Sequence, residues 1–194
     1  MSYSDRRYIL AKEPTRKRKS TITRTFRIEK ELDGALQEEA ERRDTTVNFL
    51  VNQILRKFDN FDIIADRSGA LSFTPLAVKG VIEAISDESL AKAGEKSGPL
   101  DIMDLLDMMG RPLDYNSIVF LLSEYFGGSV CSRWFTCFHH TRGSKDLFHL
   151  QHNLGRGWSI YLERYILSAL KSLLKIDATA KVYDFAVNIE INRV

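Results

Sequence analysis

The chain is poor in cysteine, with only Cys131 and Cys137 among its 194 residues. Six positions along one predicted strand separate them too far for a mutual disulfide. The disulfide framework that stabilises many small secreted domains is therefore not expected. Together with the polar start MSYSDRRY, which lacks signal-peptide character, this predicts a cytoplasmic protein.

Long hydrophobic runs and familiar catalytic signatures are also missing. No stretch approaches the ~20 apolar residues needed to cross a bilayer, so no membrane partner is expected. A hydrophobic content of 44% and a charged content of 28% are typical of a soluble globular protein. The sequence has no Ser-His-Asp set, phosphate-binding P-loop or zinc-hydrolase signature. We therefore expect neither an enzyme nor a cofactor.

Positive charge is concentrated at the amino-terminal end. Residues 1–30 hold ten Lys/Arg against three Asp/Glu, a balance of +7, whereas the whole chain is +2 and the remainder therefore −5. This asymmetry is typical of a phosphate-binding module on an acidic protein. A solvated charge run is the alternative for the basic residues alone, but a strand follows directly. The residues expected to give sequence-independent phosphate contacts are Arg16, Lys17, Arg18 and Lys19.

Residues 21–28 alternate in the manner of a short strand. Apolar Ile22, Phe26 and Ile28 point one way, and the side chains pointing the other way are Thr23, Thr25 and Arg27. A lone strand leaves its backbone groups unpaired, so it needs a partner. The same strand from a second copy would complete a two-stranded ribbon whose polar face fits the major groove of DNA.

Two short amphipathic helices follow the strand without a break. Leu32, Leu36 and Ala40 keep helical spacing in the first helix, and so does the apolar set from Val47 to Leu55 in the second. One copy of two such helices cannot enclose a core, which predicts an interlocked homodimer. The predicted dimer core comprises Ile22, Phe26, Ile28, Leu32, Leu36, Leu50, Val51 and Ile54.

The strand TRTFRI, a helix from about Lys30 to Arg42, the turn RRDTT and the helix VNFLVNQILRKF resemble the ribbon-helix-helix DNA-binding family of Arc-, MetJ- and CopG-type repressors. The resemblance covers about a fifth of the chain. It implies base contacts by Thr23, Thr25 and Arg27, and a phosphate clamp by the amides of Thr46, Val47 and Asn48. Asp44 stands where the family often has Gly; Asp tolerates the left-handed conformation, but its charge would weaken the clamp.

The rest of the chain predicts helices followed by strands. Residues 59–73 form a connector with enough Phe and Ile to pack against something. Capped helices are expected from Thr74-Pro75 and from Ser86, with a break at Gly98-Pro99, and then further helices that end at Gly110 and at Gly127-Gly128. A β-hairpin over residues 129–154, a long helix from Trp158 and one strand over 181–192 complete an α+β domain, with a mainly antiparallel sheet covered by helices on one face.

All four histidines and both cysteines fall on the predicted hairpin. Such ligands suit zinc, nickel or copper, and the candidates for a metal site are Cys137, His139 and His149. In the strand pattern Cys137 and His139 share one face, but His140 takes the other, and His149 and His152 oppose each other. This favours cysteines that pack as small apolar residues and histidines that cap a sheet edge. No bound metal is expected on this interpretation.

Three other features have a functional and a structural interpretation. Gly155-Arg156-Gly157 could present amides to an anion, although a tight turn that needs positive φ explains it equally well. Asp101, Asp104 and Asp107 are predicted to form a solvated acidic stripe. The aromatic side chains that could line a pocket for a small molecule, or simply form core, are Trp134, Phe135, Trp158, Tyr161 and Tyr165.

These features predict a sequence-specific DNA-binding transcriptional regulator of prokaryotic type, such as a repressor, that acts as a homodimer. Its expected organisation is a basic arm (1–20), a ribbon-helix-helix domain (21–58), a connector (59–73) and an α+β effector or oligomerisation domain (74–194). The expected partners are double-stranded DNA, a second copy, a further dimer in a tetramer, and a small-molecule effector. The alternatives are an antitoxin-like module that binds a protein partner and a metal-dependent repressor that uses the His/Cys hairpin.

Overall fold

Most of the helices precede the strands in this chain, and one lies between the second and third strands of the sheet. The computed structural model describes residues 21–128 and 134–192. The helices are α1 (Lys30–Arg42), α2 (Val47–Lys57), α3 (Ile63–Ser68), α4 (Pro75–Glu83), α5 (Asp87–Met108), α6 (Tyr115–Phe120) and α7 (Arg156–Ala169). The strands are β1 (Thr136–Arg142), β2 (Lys145–Gln151), β3 (Ala178–Val182) and β4 (Ala186–Asn192). This mixed helix and sheet architecture confirms the α+β prediction. None of the described helices is both long and apolar enough to cross a membrane.

Local capping signals begin several of the helices. The hydroxyls of Thr46, Thr74 and Ser86 each accept a hydrogen bond from a backbone amide three residues later, and the Asp114 carboxylate does the same. Each bond satisfies an amide that has no acceptor within the helix. These helix starts agree with the sequence prediction at Thr46, Thr74 and Ser86.

The segment predicted as a connector is helical through Ser68, the first two-thirds of its length. A π-helical segment, Phe58–Asp62, continues α2 directly into α3, and Gly69 then ends the helix in the left-handed conformation with φ of 65°. Ile64 is buried in the core and Phe61 packs against it. The prediction that this segment packs against the rest of the chain is therefore confirmed.

One long helix replaces the two that the sequence predicts around Gly98-Pro99. α5 continues through Pro99, although proline removes one hydrogen bond from the helix interior. The reason is the packing of α5 on α7: Gly94 and Gly98, one helical turn apart, bring its backbone against the backbone of Tyr161 and Tyr165. The predicted break is wrong because this tertiary contact outweighs the local signal.

The sheet is antiparallel throughout, in the order β1-β2-β4-β3. β1 and β2 form the predicted hairpin, which turns at Gly143-Ser144. The single strand predicted over 181–192 is wrong, since residues 183–185 form a turn between β3 and β4. This turn contains no Gly or Pro, so the alternation of Tyr183 and Phe185 with their neighbours resembles a continuous strand.

One face of the sheet is covered and forms the core. α7 lies against β3 and β4, and α5 packs on the far side of α7. The fully buried residues from sheet and helices are Phe148, Leu150, Val187, Ile189, Ile191, Ile102, Leu106, Leu162, Ile166 and Leu170. The opposite face carries the exposed Phe138 and His140, as expected for an antiparallel sheet with helices on one side.

Candidate functional site

Two short helices joined by a tight turn lie at the amino-terminal positions where the sequence predicts helices. α1 ends at Arg42, and Asp44 takes the left-handed conformation with φ of 49°. Thr46 then caps α2 by accepting a 3.1 Å hydrogen bond from the amide of Phe49. The amides of Val47 and Asn48 lie in the first turn of α2, where a helix offers them no acceptor. The turn thus points a helix N-terminus outward, a geometry that suits an anion.

The predicted ribbon segment lies exposed ahead of α1. Residues 21–29 are neither helix nor strand in the single chain, and the side chains of Thr23, Thr25 and Arg27 are exposed. Ile22 and Phe26 are exposed as well, at 78% and 70%. Pairing of this segment as a strand requires a second copy of the chain, so the ribbon stays a prediction. The basic residues Arg16 to Lys19 lie outside the described residues.

The predicted dimer core divides into two groups. Leu50 is already buried within one chain, where α1 packs on α2, and Leu36 and Val51 are half-buried. The side chains of the remaining members are exposed to solvent in a single chain: Ile22, Phe26, Ile28, Leu32 and Ile54.

An ion-pair cluster lies at the end of α1. Glu39 accepts hydrogen bonds from Arg42 at 2.6 Å and pairs with Arg43 as well. The two guanidinium groups lower the pKa of Glu39 to about 2. The cluster places charged groups beside the turn. Because all three groups face solvent, their pairing adds little to stability.

A cleft of about 1280 Å³ is the second candidate site. Its walls come from the segment between α3 and α4, from α5, from the π-helical segment Leu121–Phe126 after α6, and from the loop between β2 and α7. The floor is aromatic and largely buried, and comprises Phe61, Tyr125, Phe126, Trp134, Phe135, Trp158 and Tyr165. Exposed Asp101, Asp104 and Asp107 lie along α5 at its rim.

Part of this cleft agrees with the sequence prediction. Trp134, Phe135, Trp158 and Tyr165 line it, whereas Tyr161 stacks on Trp158 with ring centroids 5.0 Å apart. The acidic stripe is exposed as predicted, and it borders the aromatic floor. The lining aromatics that the sequence did not indicate are Phe61, Phe73, Tyr125 and Phe126. They lie on other elements, and no spacing rule connects those elements to Trp134.

His152 lies in the cleft wall in a neutral state. Its Nδ1 accepts a hydrogen bond from the amide of Leu154 at 3.2 Å, and its Nε2 lies 2.8 Å from the hydroxyl of the fully buried Ser159. Burial lowers the pKa of His152 to about 4. Protonation of Nδ1 would break the bond from Leu154, so the wall carries no positive charge here near neutral pH.

The pKa of His152 predicts a loss of stability in mild acid. Because the folded-state pKa lies below the ordinary value of 6.5, the unfolded chain binds the extra proton first. Stability should be complete above pH ~6.5 and fall by about 1–2 kcal/mol as the pH drops towards ~4, allowing for partial exposure. Urea unfolding of wild type and of His152→Gln across this range measures the effect: the advantage of the wild type should shrink with falling pH.

His140→Gln is the matched control for this prediction. His140 is exposed on the open face of the sheet, so its replacement should leave the pH dependence as in the wild type. An equal response of both variants would contradict the assignment to His152.

The metal candidates of the hairpin do not converge. His139 and Cys137 lie on the covered face of the sheet, whereas His149 lies on the open face, 2.5 Å from the amide oxygen of Asn188. His139 contacts the buried carboxylate of Asp146 at 2.9 Å, and Tyr115 and Thr141 also donate to this carboxylate. No spacing in the sequence indicates this cluster around Asp146.

The chemistry of Cys137 also disfavours metal binding. Burial and the nearby Glu124 raise the pKa of its thiol to about 12, so the thiolate that metals require is scarce. Across residues 21–128 and 134–192, no three His, Cys, Asp or Glu side chains come together as a metal site would need. Cys131 lies outside the described residues.

The Gly155-Arg156-Gly157 motif has structural roles. Gly155 precedes α7 with φ of 86°, a conformation that favours glycine. A Cβ at Gly157 would come within 2.8 Å of side-chain carbons of Ile82 and Leu90. Arg156 lies 4.0 Å from Asp87 and 3.9 Å from Asp184. The tight-turn interpretation therefore agrees with the geometry.

Comparison of the chain with protein-family models, with curated proteins and with solved structures found no match.

Proposed function

We propose that this protein is a sequence-specific DNA-binding transcriptional regulator that acts as a ribbon-helix-helix homodimer. The observation that supports it best is the order of local structures over residues 21–57. An exposed alternating segment leads into α1, a left-handed turn at Asp44 follows, and a capped α2 completes the unit.

The exposed apolar surface of this unit supports the homodimer. Ile22, Phe26 and Leu32 are each more than half exposed in one chain. Such a concentration of exposed large apolar side chains is typical of an interaction surface. Burying one of these side chains contributes about 1.5–3 kcal/mol. A second copy offers the same surface and pairs the segment 21–28 with itself, which satisfies the backbone groups of both strands.

The polar side chains of the same segment support DNA as the ligand. In the paired ribbon, Thr23, Thr25 and Arg27 occupy the face away from the apolar residues. Arg is the usual bidentate partner of guanine, and Thr can contact thymine methyl groups or accept and donate hydrogen bonds. The balance of +7 over residues 1–30 supplies attraction to phosphates that is independent of sequence.

The remainder of the chain fits a sensor or oligomerisation role. It has its own core and an aromatic cleft, whereas a segment that wraps a toxin is usually short and flexible. This favours the regulator over the antitoxin-like alternative, and a stoichiometric protein partner after purification would reverse the preference.

Replacing Arg27 by alanine should weaken operator binding by ~1–3 kcal/mol and relax the preference at one base step. Genome-scale footprinting of the bound DNA identifies the operator, and titration of single-base variants of that operator then measures the preference. We expect Arg27→Ala to bind all four bases with similar affinity at one operator position and to keep the base preferences of the wild type at the other positions.

Arg24→Ala is the matched control. It removes the same charge from the same segment, but the side chain of Arg24 points away from the strand face that carries Arg27. It should weaken binding to all sequences alike and leave the base preference unchanged. If Arg27→Ala also left the preference unchanged, the assignment of the strand face would be wrong.

A further inference from the structure

The cleft has a strongly negative electrostatic character. Among the described residues that line it, the carboxylates are Asp101, Asp104 and Asp107, and there is no Lys or Arg. His152 is neutral at physiological pH, as its hydrogen bond from Leu154 requires. The negative charges lie close enough to interact, since partial burial and the charge of Asp104 both raise the pKa of Asp101. A cationic ligand would be attracted to this cleft and an anionic one repelled.

The aromatic rings that line the cleft add to the same preference. Trp134 contacts Phe126, Trp158 and Tyr165 with centroid separations of 4.6, 5.5 and 5.6 Å. The face of an aromatic ring carries partial negative charge, and Trp attracts a cation best. The ring cluster also offers apolar surface for the body of a ligand.

The hydroxyl of Tyr165 is an independent indication that a ligand belongs here. Tyr165 lines the cleft and is only 1% exposed, yet its hydroxyl has no hydrogen-bond partner among the described residues. A buried polar group without a partner is costly, and native structures contain few of them. Asp101 lies near enough to contribute to the raised pKa of this hydroxyl. An ammonium group between the two would donate to the phenol oxygen and to the carboxylate.

We propose that the cleft between α5, α7 and the segment 68–78 binds a small organic cation that consists of an ammonium group on an apolar or aromatic body. The ammonium group lies between Asp101, the Tyr165 hydroxyl and the tryptophan faces. The body of the ligand packs on the aromatic floor. This site is separate from the DNA-binding surface and does not depend on it.

Three probes of one shape and different charge test the proposal on the full chain: 2-phenylethylammonium, 2-phenylethanol and phenylacetate. The chain contains two tryptophans, and both line the cleft, so intrinsic fluorescence reports occupancy directly. Isothermal calorimetry gives a second reading. The cation should bind at least about tenfold more tightly than the alcohol, and phenylacetate should bind most weakly. Equal affinities, or no response to millimolar cation, would overturn the proposal.

Two variants locate the ammonium group. Asp101→Asn should lower the affinity for the cation about fivefold or more and leave that for the alcohol unchanged. Asp177→Asn, outside the cleft, removes the same charge and should change neither. If both variants lowered the affinity equally, the attraction would be a general effect of net charge and the placement would be wrong.

Tyr165→Phe gives a signature that a purely structural tyrosine would not give. Removal of the unpartnered hydroxyl should raise the denaturation midpoint of the free protein and at the same time weaken cation binding. A lower midpoint with unchanged cation affinity would overturn the role of the hydroxyl, and the fluorescence of the folded variant confirms that the cleft is intact.

Discussion

Replacing Gly98 by alanine is expected to lower the free energy of unfolding by about 2–4 kcal/mol. The added Cβ would overlap the backbone carbonyl of Tyr165 on α7. Backbone atoms in the middle of a packed helix cannot rotate away as a side chain can, so α5 and α7 must separate. Their contact supports much of the core, including Ile102 and Leu162, which are fully buried. Chemical denaturation followed by circular dichroism measures the loss.

Gly80→Ala is the matched control for this prediction. Gly80 is also inside a helix, but nothing lies within 4 Å of the position of its Cβ. Alanine is there expected to stabilise the protein by about 0.5–1 kcal/mol through its better helix propensity. The two glycines should therefore respond with opposite signs. A shared sign would show that propensity, rather than the close approach of α5 and α7, decides the outcome at Gly98.

Short-range signals account for the parts of the fold that the sequence predicts well. Thr46, Thr74 and Ser86 each bond to an amide three residues away, so the cause of the helix start is contained in the local sequence. Gly143 and Gly155 likewise adopt the positive φ that their positions need. Agreement is closest where a residue acts on its own neighbours.

Tertiary contacts explain the parts that the sequence did not predict. Gly98 and Pro99 resemble a helix break in isolation, and only the backbone of α7 explains why the helix continues. The turn between β3 and β4 has Asp184 as its one residue typical of turns, and no Gly or Pro marks it. It is fixed instead by pairing, including a 2.8 Å hydrogen bond from the amide of Tyr183 to the carbonyl of Ala186. Pattern alone cannot separate a strand from a hairpin under these conditions.

The cleft illustrates the same limit for a functional site. Its aromatic residues come from segments between Phe61 and Tyr165, more than 100 positions apart. Sequence analysis could name aromatic and acidic residues as candidates, but not join them into one site. The acidic stripe of α5 indicates a cation site only because Trp134 and Tyr165 line the same cleft. For residues 21–57, by contrast, the proposed contacts with DNA lie within one local segment, so the sequence suffices to name them.

Replacing Phe26 by alanine should dissociate the proposed dimer while leaving a single chain unaffected. In one chain Phe26 is 70% exposed, and its removal there has almost no energetic consequence. Buried against a second copy, a Phe→Ala change costs about 3 kcal/mol or more, and symmetry applies it twice. The dissociation constant of the dimer should rise at least about a hundredfold, and operator binding should fall with it. Sedimentation equilibrium and DNA titration measure the two effects.

Phe138→Ala provides the comparison, because Phe138 is also an exposed phenylalanine, at 47%, but lies on the open face of the sheet. It should change neither dimerisation nor DNA binding. The contrast is informative because both substitutions remove the same atoms from solvent-exposed positions of a single chain. Only a partner that covers residues 21–28 can make them differ. Equal behaviour of the two variants would contradict the paired ribbon and, with it, the proposed regulator.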